Sequence, residues 1–520
     1  MLAEPEHQII HPVRSFPYRL VIAVTAVLAV LAIGGFLYAK LFRVVPVNYA
    51  DDLENFKYGS IGTNPSTGLP YDIWMVLPRI FPEYLPGNGG YASVGMTWEP
   101  GHETPVGFTK MTIGFERIAV NCAACHSGTF RKQGQASPTI YPGAPAHQFN
   151  PQAYLRFLSK SARDARFNAD VILKEIEYFV PLSAADRALY RSTIIPQTRA
   201  ALLAQADLNQ WQESRPDWGC GRIDPFNPVK FGTLKMDPKK DTDGSNRYDT
   251  VGNSDMVPIW SLKGRDGTRL HWDGLETSLE EVVITGAVGD GTALKDVDYP
   301  AMKRLQKTLE ELPVPPFPYE DDPKSPYHRD TVAIDKGAKV YESAGCAVCH
   351  TPGQARTYKV IPMAEVGTDP ERHKLWGNDA AALYNDYAKG YPWKFNKLVG
   401  TNAGKDDGYV SPDLRGIWLR APYLHNGSVP TLRDLFKPPG ERNPSFYRGN
   451  DEFDPVDVGW VCNLARSDVG DGRPFTRFDV YLDPVKKTGP IQGNGNGGHL
   501  WGVELSEPDK AALIEYLKSL

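Results

Sequence analysis

The longest apolar stretch of the chain lies near its start, where residues 20–39 carry no charged side chain. A helix of about 20 residues spans about 30 Å, which matches the hydrocarbon thickness of a bilayer. The apolar segment of a cleaved signal peptide is usually shorter, at about 7–15 residues, and no clear small-residue cleavage site precedes Lys40. The pattern therefore favours one uncleaved transmembrane helix. Basic residues flank it on both sides, so charge alone does not set its orientation.

Apolar residues recur at helical spacing in several later segments. Residues 152–178 and 183–212 are predicted to be helical, and residues 332–345 form a predicted helix that leads into a cysteine motif. The last predicted helix, within residues 506–520, begins with a capping-box pattern. Residues 312–326 contain six prolines, which disfavour both helix and central strand and predict a linker.

The composition narrows the class of protein. Hydrophobic residues make up 41% of the 520 residues, which is enough for a substantial core and excludes a wholly disordered chain. The net charge of -5 argues against a nucleic-acid-binding protein, which usually has a basic excess. The 48 glycines and 44 prolines predict long loops between the elements.

Two short segments share the pattern C-x-x-C-H, which is the attachment signature of c-type haem. Two thiols three positions apart can reach both vinyl groups on one edge of the porphyrin, and the adjoining histidine can bind the iron. A redox-active cysteine pair or a zinc site would not need a histidine after both cysteine pairs. We therefore expect two covalently attached c-type haems, with His126 and His350 as iron ligands. The attached thiols are those of Cys122, Cys125, Cys346 and Cys349.

The haem motifs also predict the topology. Covalent haem attachment in bacteria takes place outside the cytoplasmic membrane, so the body that follows the anchor is expected in the periplasm. The predicted order begins with a cytoplasmic tail (residues 1–19) and a membrane anchor (20–40). An enlarged first haem domain (41–311), a proline-rich linker (312–326) and a second haem domain (327–520) follow. In the second half, a helix, the motif, long loops and a closing helix follow one another as in class I cytochrome c. The predicted fold is mainly α, with two tandem domains of this class, long loops and one N-terminal transmembrane helix.

The two remaining cysteines, Cys220 and Cys462, are single and isolated. In an oxidising compartment they could form a disulfide. Since the sequence does not show whether they lie close together, the pairing stays open.

Residues 270–281 and 423–434 resemble one another and follow the first and second haem motif, respectively. Aligning Gly274 with Gly427 superimposes two capping-box patterns, and Trp272 then falls opposite His425. Two unrelated aromatic turns before capped helices would give a similar pattern by chance. The shared order favours duplication of one haem unit.

These features resemble the bacterial di-haem cytochrome c peroxidase superfamily, which includes the methylamine-utilisation di-haem enzyme and the rubber oxygenases. The resemblance rests on the two haem motifs, on W-D-G-x-x-x-S-L-E-E from Trp272, and on A-P-Y-x-H-N-G-S-x-x-T-L from Ala421. Segments such as 74–79 and 221–227 are most similar to the rubber-oxygenase-like branch. The resemblance covers about residues 74–520 and implies a haem-dependent oxidoreductase, either oxygenase-like or peroxidase-like, although it leaves open whether the chain is an enzyme.

One position departs from the peroxidase pattern. Val282 stands where peroxidases usually have a glutamine, and Asp290 is the nearest acid downstream. Because such polar groups assist cleavage of the peroxide O–O bond, efficient peroxidase activity is in doubt. An apolar pocket suits dioxygen better, as the resemblance to rubber oxygenases implies.

The second haem needs a sixth ligand, and Met363 is the only methionine after its motif, too close to it to be the usual distant ligand. The alternatives are histidines, in the order of preference His499, His425 and His373. At the first haem the sequence favours an open sixth position over ligation by His147 or His271.

The function expected from these residues is that of a membrane-anchored periplasmic di-haem cytochrome that transfers electrons, coupled to dioxygen or peroxide chemistry at the first haem. His271 and Trp272 are the candidate catalytic side chains there, and Trp272 or Trp260 is expected between the haems. A pure electron carrier with two six-coordinate haems is the main alternative, and a haem-based sensor is a third. The expected partners are a periplasmic or membrane electron donor or acceptor and a small-molecule oxidant or organic substrate, but no nucleic acid.

Overall fold

The structure, a computed structural model, describes residues 18–238, 251–319, 325–389, 407–463 and 472–520. It is 43% helical and 13% strand, with the strands in several small sheets. Residues 1–17 of the predicted cytoplasmic tail and residues 320–324 of the predicted linker lie outside the described residues.

Most of the helices are short, and loops rich in proline and glycine separate them. They are α1 (Tyr18–Leu41), α2 (Asp52–Tyr58), α3 (Thr63–Thr67), α4 (Tyr71–Ile80), α5 (Pro151–Arg163), α6 (Ala169–Phe179), α7 (Ala184–Leu189), α8 (Ile195–Leu208), α9 (Leu279–Gly289), α10 (Tyr299–Glu311), α11 (Thr331–Ser343), α12 (Cys346–His350), α13 (Met363–Val366), α14 (Asn378–Tyr387), α15 (Leu432–Leu435) and α16 (Glu507–Lys518).

The strands pair in one four-stranded antiparallel sheet, in the order β1-β3-β4-β2, and in two-stranded sheets elsewhere among the described residues. They are β1 (Val44–Val45), β2 (Leu69–Pro70), β3 (Phe108–Ile113), β4 (Phe115–Val120), β5 (Ser127–Phe130), β6 (Thr139–Pro142), β7 (Arg222–Ile223), β8 (Ser254–Asp255), β9 (Val360–Pro362), β10 (Gly408–Val410), β11 (Ser445–Arg448), β12 (Phe453–Asp454), β13 (Gly459–Trp460), β14 (Thr476–Asp479), β15 (Tyr481–Asp483) and β16 (Thr488–Pro490).

The predicted fold class is wrong, because the first haem motif follows a β-hairpin rather than a helix. Strands β3 and β4 pair from Phe108 opposite Val120 to Ile113 opposite Phe115. Gly114, with a φ of +73°, makes the tight turn between them. Both strands are rich in β-branched and aromatic residues, which favour a pleated sheet over a helix. The chain is therefore a mixed α and β structure and not a pair of class I cytochrome c domains.

The second motif does follow a predicted helix. Helix α11 ends at Ser343 and leads into α12, which contains the motif itself. Helix α16 packs against α11, and its N-cap Ser506 accepts a hydrogen bond from the backbone N–H of Asp509, as the capping-box pattern predicts. The predicted cap at Ser183 also forms and begins α7.

Helix α1 coincides with the apolar stretch near the start of the chain. Its side chains are almost all exposed, and its length and composition are sufficient to cross a membrane. A helix of this kind near the N-terminus is either a signal sequence or a single membrane span. Its last turn is tied to the body, because the Lys40 ammonium lies 2.7 Å from the Asp186 carboxylate.

The core consists of several apolar clusters. The first surrounds Trp74, which stacks on Tyr91 with ring centroids 4.2 Å apart. Another contains Phe130, Trp418 and Phe453, whose rings meet edge to face or at a tilt. Since Phe130 precedes the proline-rich segment and Trp418 follows it, residues from both sides share this core. The predicted domain boundary at residues 312–326 stays a prediction.

Candidate haem sites

The histidines of the two motifs have the same hydrogen-bonding pattern. Nδ1 of His126 lies 2.8 Å from the carbonyl oxygen of Val257, and Nδ1 of His350 lies 2.7 Å from that of Pro412. A carbonyl can only accept, so Nδ1 carries the proton and Nε2 keeps its lone pair, which is the state found in iron-binding histidines. Burial lowers the pKa of His126 to about 4 and lowers that of His350 below its ordinary value. Both rings are therefore neutral and suited to bind iron.

The four motif thiols are protonated at neutral pH. Burial raises the pKa of Cys346 to about 11 and raises those of the other three above the ordinary range. Catalytic redox cysteines have a lowered pKa instead, so the thiols do not fit that alternative. Cys220 and Cys462 are also free in this structure, and Sγ of Cys220 shares a hydrogen bond of 3.1 Å with the Thr476 hydroxyl.

A mainly apolar cavity lies beside the second motif. Its open space amounts to about 1090 Å³, including the mouth that faces solvent. The wall includes Cys349 and His350 from the motif together with Trp272, His425 and His499 from distant parts of the chain. The structure thus brings the preferred sixth ligand and its first alternative to the same cavity.

The spacing of His350 and His499 fits two ligands of one iron. Their ring centroids are 6.3 Å apart, with the ring planes tilted by 38°. A ring nitrogen lies about 1.1 Å from the centre of an imidazole with C–N bonds of about 1.33 Å, and metal–imidazole bonds are about 2.0 Å long. An iron bound to both rings would therefore hold the centroids about 6 Å apart, close to the observed spacing. The residues at this site fit a c-type haem.

Hydrogen bonds and close packing fix the backbone around His499. Its N–H donates to the Val366 carbonyl at 2.7 Å, and its own carbonyl accepts from the Arg442 guanidinium at 3.3 Å. His499 has a φ of +48°, which is uncommon for a residue other than glycine. The preceding Gly498 passes directly over the backbone of Gly367, where a Cβ would collide with it. Such a conformation persists only where the surrounding structure supports it.

The other two candidate ligands of the second haem have ring partners. His425 is buried and stacks on Tyr409, with centroids 3.9 Å apart. His373 meets the edge of the same Tyr409 ring and forms an ion pair with Asp407 when protonated. Burial lowers the pKa of both imidazoles. The preference for His499 is consistent with this arrangement and stays a prediction.

The two similar segments after the haem motifs adopt the same local conformation. The N–H of Leu270 donates to the Glu276 carbonyl at 2.9 Å, and the N–H of Tyr423 donates to the Val429 carbonyl at 2.6 Å. The residues with positive φ also correspond, and they are His271 (+62°) and Gly274 (+69°) in the first segment and Leu424 (+68°) and Gly427 (+61°) in the second. Ser278 and Thr431 then cap the helices that follow. The internal similarity seen in the sequence is therefore a shared turn.

The neighbouring residues His271 and Trp272 face different surroundings. Nε2 of His271 lies 3.1 Å from the Glu276 carboxylate. The positive charge of protonated His271 is close enough to His126 to lower the pKa of the His126 ring. Trp272 lines the cavity of the second motif, and its Nε1–H donates to the Asp255 carbonyl at 3.0 Å. His271 thus lies near the first motif and Trp272 beside the second. On the sequence alone, both are catalytic candidates at the first haem.

The remaining candidates lie elsewhere. His147 is buried and stacks on Trp460 with centroids 3.7 Å apart. Trp260 belongs to the core, where its Nε1–H donates to the Arg415 carbonyl at 3.1 Å. Neither residue lines the cavity of the second motif. Asp290 ends α9 near the first motif, and burial raises its pKa to about 7.

A buried ion pair between Asp255 and Arg448 was not predicted from the sequence. The Arg448 guanidinium also donates to the carbonyls of Cys220 and Gly427, at 2.8 and 2.6 Å. The backbone N–H of Asp255 donates to the His425 carbonyl at 2.8 Å, and its carbonyl accepts from Trp272. The pair therefore fixes both aromatic residues that enter the cavity from the two similar turns. No local pattern signals such a contact, because its partners are far apart in the chain.

Part of the second half matches a known family. Residues 408–448 match the family model described as "RoxA-like, cytochrome c-like". These residues include the Pro412 carbonyl that accepts from His350, the second of the similar turns, and Arg448. The match supports a c-type cytochrome of the rubber-oxygenase-like family, and it implies a c-type haem with its iron. Membership of the wider di-haem peroxidase superfamily stays a prediction.

Two proteins of Sinorhizobium fredii (strain NBRC 101917 / NGR234) are similar to longer parts of the chain. The uncharacterized protein y4iM is 32% identical over 298 residues, which cover 51% of this chain and 64% of the relative. The uncharacterized protein y4iJ is 32% identical over 183 residues, which cover 32% of this chain and 29% of the relative. The chain thus spans less than two thirds of either relative. The family match at residues 408–448 supports a c-type cytochrome.

Proposed function

We propose that this protein is a membrane-anchored periplasmic cytochrome with two c-type haems, which transfers electrons and uses dioxygen or peroxide at the first haem. The observation that carries the proposal is the matching pair of hydrogen bonds at His126 and His350, each from Nδ1 to a backbone carbonyl. A carbonyl partner on Nδ1 directs Nε2 of each ring to the iron. Two equivalent motifs with equivalent ring orientation support two haems.

The second haem is proposed as the electron-transfer centre. His350 and His499 would both bind its iron, since their spacing fits two ligands. An iron with two histidine ligands has no position left for a small molecule. The cavity wall is mainly apolar, and Trp272 in that wall would lie on the electron path towards the first haem.

The first haem is proposed as the reaction site, where a bound haem supplies a redox-active iron with one open position. His271 is engaged by Glu276, which also accepts a hydrogen bond from the Thr285 hydroxyl at 3.1 Å. Burial lowers the pKa of His271, but the hydrogen bond to Glu276 and the negative charges of Glu276 and Asp273 together outweigh this effect and leave the pKa above its ordinary value. His271 would act there as a proton donor, while a bound haem would supply the redox chemistry.

A pure electron carrier is the second candidate. It is favoured by the closeness of His271 to His126, because His271 could then act as a sixth ligand and close the first haem. No substrate chemistry would occur at either haem in that case.

Binding of carbon monoxide or cyanide to the purified full-length protein separates the two functions. We expect carbon monoxide to change the optical spectrum of one reduced haem and to leave the other unchanged. We also expect slow peroxide turnover, since Val282 lies where peroxidases have a glutamine. Two unreactive low-spin haems would contradict the reaction site and leave electron transfer as the function.

The location is tested separately. A reporter fused after Leu520 is expected to be active only in the periplasm, and a salt wash should leave the protein in the membrane fraction. Release of a soluble form cut near Lys40 would show that α1 is a cleaved signal sequence.

A further inference from the structure

An unusual exposed apolar surface lies where α6 ends and α7 begins. Tyr178 and Phe179, at the end of α6, are 75% and 46% exposed. Their rings meet edge to face, with centroids 4.9 Å apart. The α6–α7 surface consists of the exposed side chains of Tyr178, Phe179, Pro181, Ala184, Ala185 and Ala188.

This surface is not needed to attach α6 to the body. The helix already buries Ile172, Leu173 and Ile176 in the first core cluster. Single exposed apolar residues are normal, but two large exposed aromatic rings in mutual contact, with four more exposed apolar residues close to them in the sequence, indicate a candidate binding surface. The α6–α7 surface is therefore a candidate site of contact with a partner.

One ion pair connects this surface to the end of the membrane helix, and a second joins α6 to α7 beside it. Lys40, in the last turn of α1, pairs with Asp186 of α7 at 2.7 Å. The adjacent Arg187 pairs with Glu177 at 2.7 Å, directly before Tyr178. The α6–α7 surface consequently lies beside the point where α1 meets the body.

A second connection holds the same junction. The N–H of Gly114, in the β3–β4 turn, donates to the Arg43 carbonyl at 2.7 Å, and β1 pairs with β3 immediately afterwards. The end of α1 is thus anchored to the body by backbone hydrogen bonds as well as by side chains. Its position relative to the α6–α7 surface is therefore defined by the fold.

The chemistry of this surface is that of a membrane–water interface. The Arg79 guanidinium lies 4.9 Å from the centre of the Phe179 ring and 5.4 Å from that of Tyr178. Aromatic rings are enriched at the level of the lipid headgroups, and arginine side chains there extend their charge towards the polar side. A protein partner would leave unexplained why this surface adjoins the end of α1.

We infer that the α6–α7 surface rests on the lipid headgroup region of the bilayer that α1 crosses. The inference depends on the membrane anchoring proposed above. Contact at this surface as well as at α1 would hold α1 and the body together at one tilt relative to the membrane.

Site-directed spin labelling of the full-length protein tests this inference. A nitroxide is attached at Phe179→Cys, and independently at Tyr178→Cys, in liposomes of phosphatidylcholine and phosphatidylglycerol. Val485→Cys is the matched control, because Val485 is 93% exposed on the turn between β15 and β16. The unsubstituted chain, labelled in parallel, corrects for reaction at Cys220 and Cys462.

We expect labels at positions 178 and 179 to collide more with lipid-soluble oxygen than with a water-soluble nickel complex, and the label at position 485 to show the reverse. If the protein floats with the liposomes but position 179 is as accessible to nickel as position 485, the inference is wrong and the anchoring stands. If the protein does not float with the liposomes, both the anchoring and the inference are wrong.

Discussion

The imidazole rings of His350 and His499 lie in the wall of one cavity with their centroids 6.3 Å apart. His350 belongs to the second haem motif, whereas His499 comes from the loop before the last helix. Their spacing fits two ligands of one iron, so we predict that the loop before the last helix supplies the sixth ligand of a haem bound at the second motif.

Removal of the His499 ring is therefore expected to open the second haem. In His499→Ala, that haem should change from low-spin to a form that binds carbon monoxide, which optical and electron-resonance spectra detect. His425→Ala is the control, because His425 stacks on Tyr409 and should leave the low-spin signal in place. A low-spin second haem in His499→Ala would show that another residue is the ligand.

The glycine before His499 offers a test that leaves the ring itself unchanged. In Gly498→Ala, the added Cβ would collide with the backbone of Gly367, and the φ of +71° is itself unfavourable for alanine. We expect His499 to be displaced and the low-spin signal to weaken. Gly497→Ala is the matched control, since its Cβ would lie 3.7 Å from the nearest atom outside its neighbours, the Gly367 carbonyl oxygen. Equal spectra for both variants would argue against this account.

The number of haems can be measured directly. Denatured protein is expected to retain two covalent haems per chain in a pyridine haemochrome assay, since thioether bonds survive unfolding. Replacing both Cys122 and Cys125 by serine should leave one haem, and the corresponding change at Cys346 and Cys349 should leave the other. A protein without haem after denaturation would exclude covalent attachment.

The burial of His147 leads us to expect a lower free energy of unfolding in acid. Burial lowers its pKa to about 3, while the unfolded chain has the ordinary value of about 6.5, so the unfolded state binds the proton more readily. Below about pH 6.5 the free energy of unfolding should therefore fall by about 1.4 kcal/mol per pH unit on account of this residue, until the pH nears 3. In His147→Phe, which keeps a ring against Trp460, denaturant titrations should show a correspondingly shallower decline between pH 6.5 and 4.5. Parallel pH dependence in both proteins would contradict the assignment.

The sequence alone determined the features that depend on a few neighbouring residues. The C-x-x-C-H motifs predict the haem sites because the thiols and the ring nitrogen are joined within five residues. The apolar stretch of α1, the caps at Ser183 and Ser506, and the shared turn after each motif follow from local hydrogen bonds and local hydrophobicity. Each was predictable since its partners lie within about one helical turn or one loop of each other.

Only the tertiary structure decided what depends on distant partners. A hairpin precedes Cys122, where a class I cytochrome c domain would have a helix, because β3 and β4 gain their stability by pairing with each other and with β1 and β2. His350 lies close to His499, and Asp255 pairs with Arg448 in the interior. Both contacts join segments that meet only after the chain has packed. Local patterns do not encode such contacts, because the free energy that selects them comes from the burial of surfaces contributed by the whole chain.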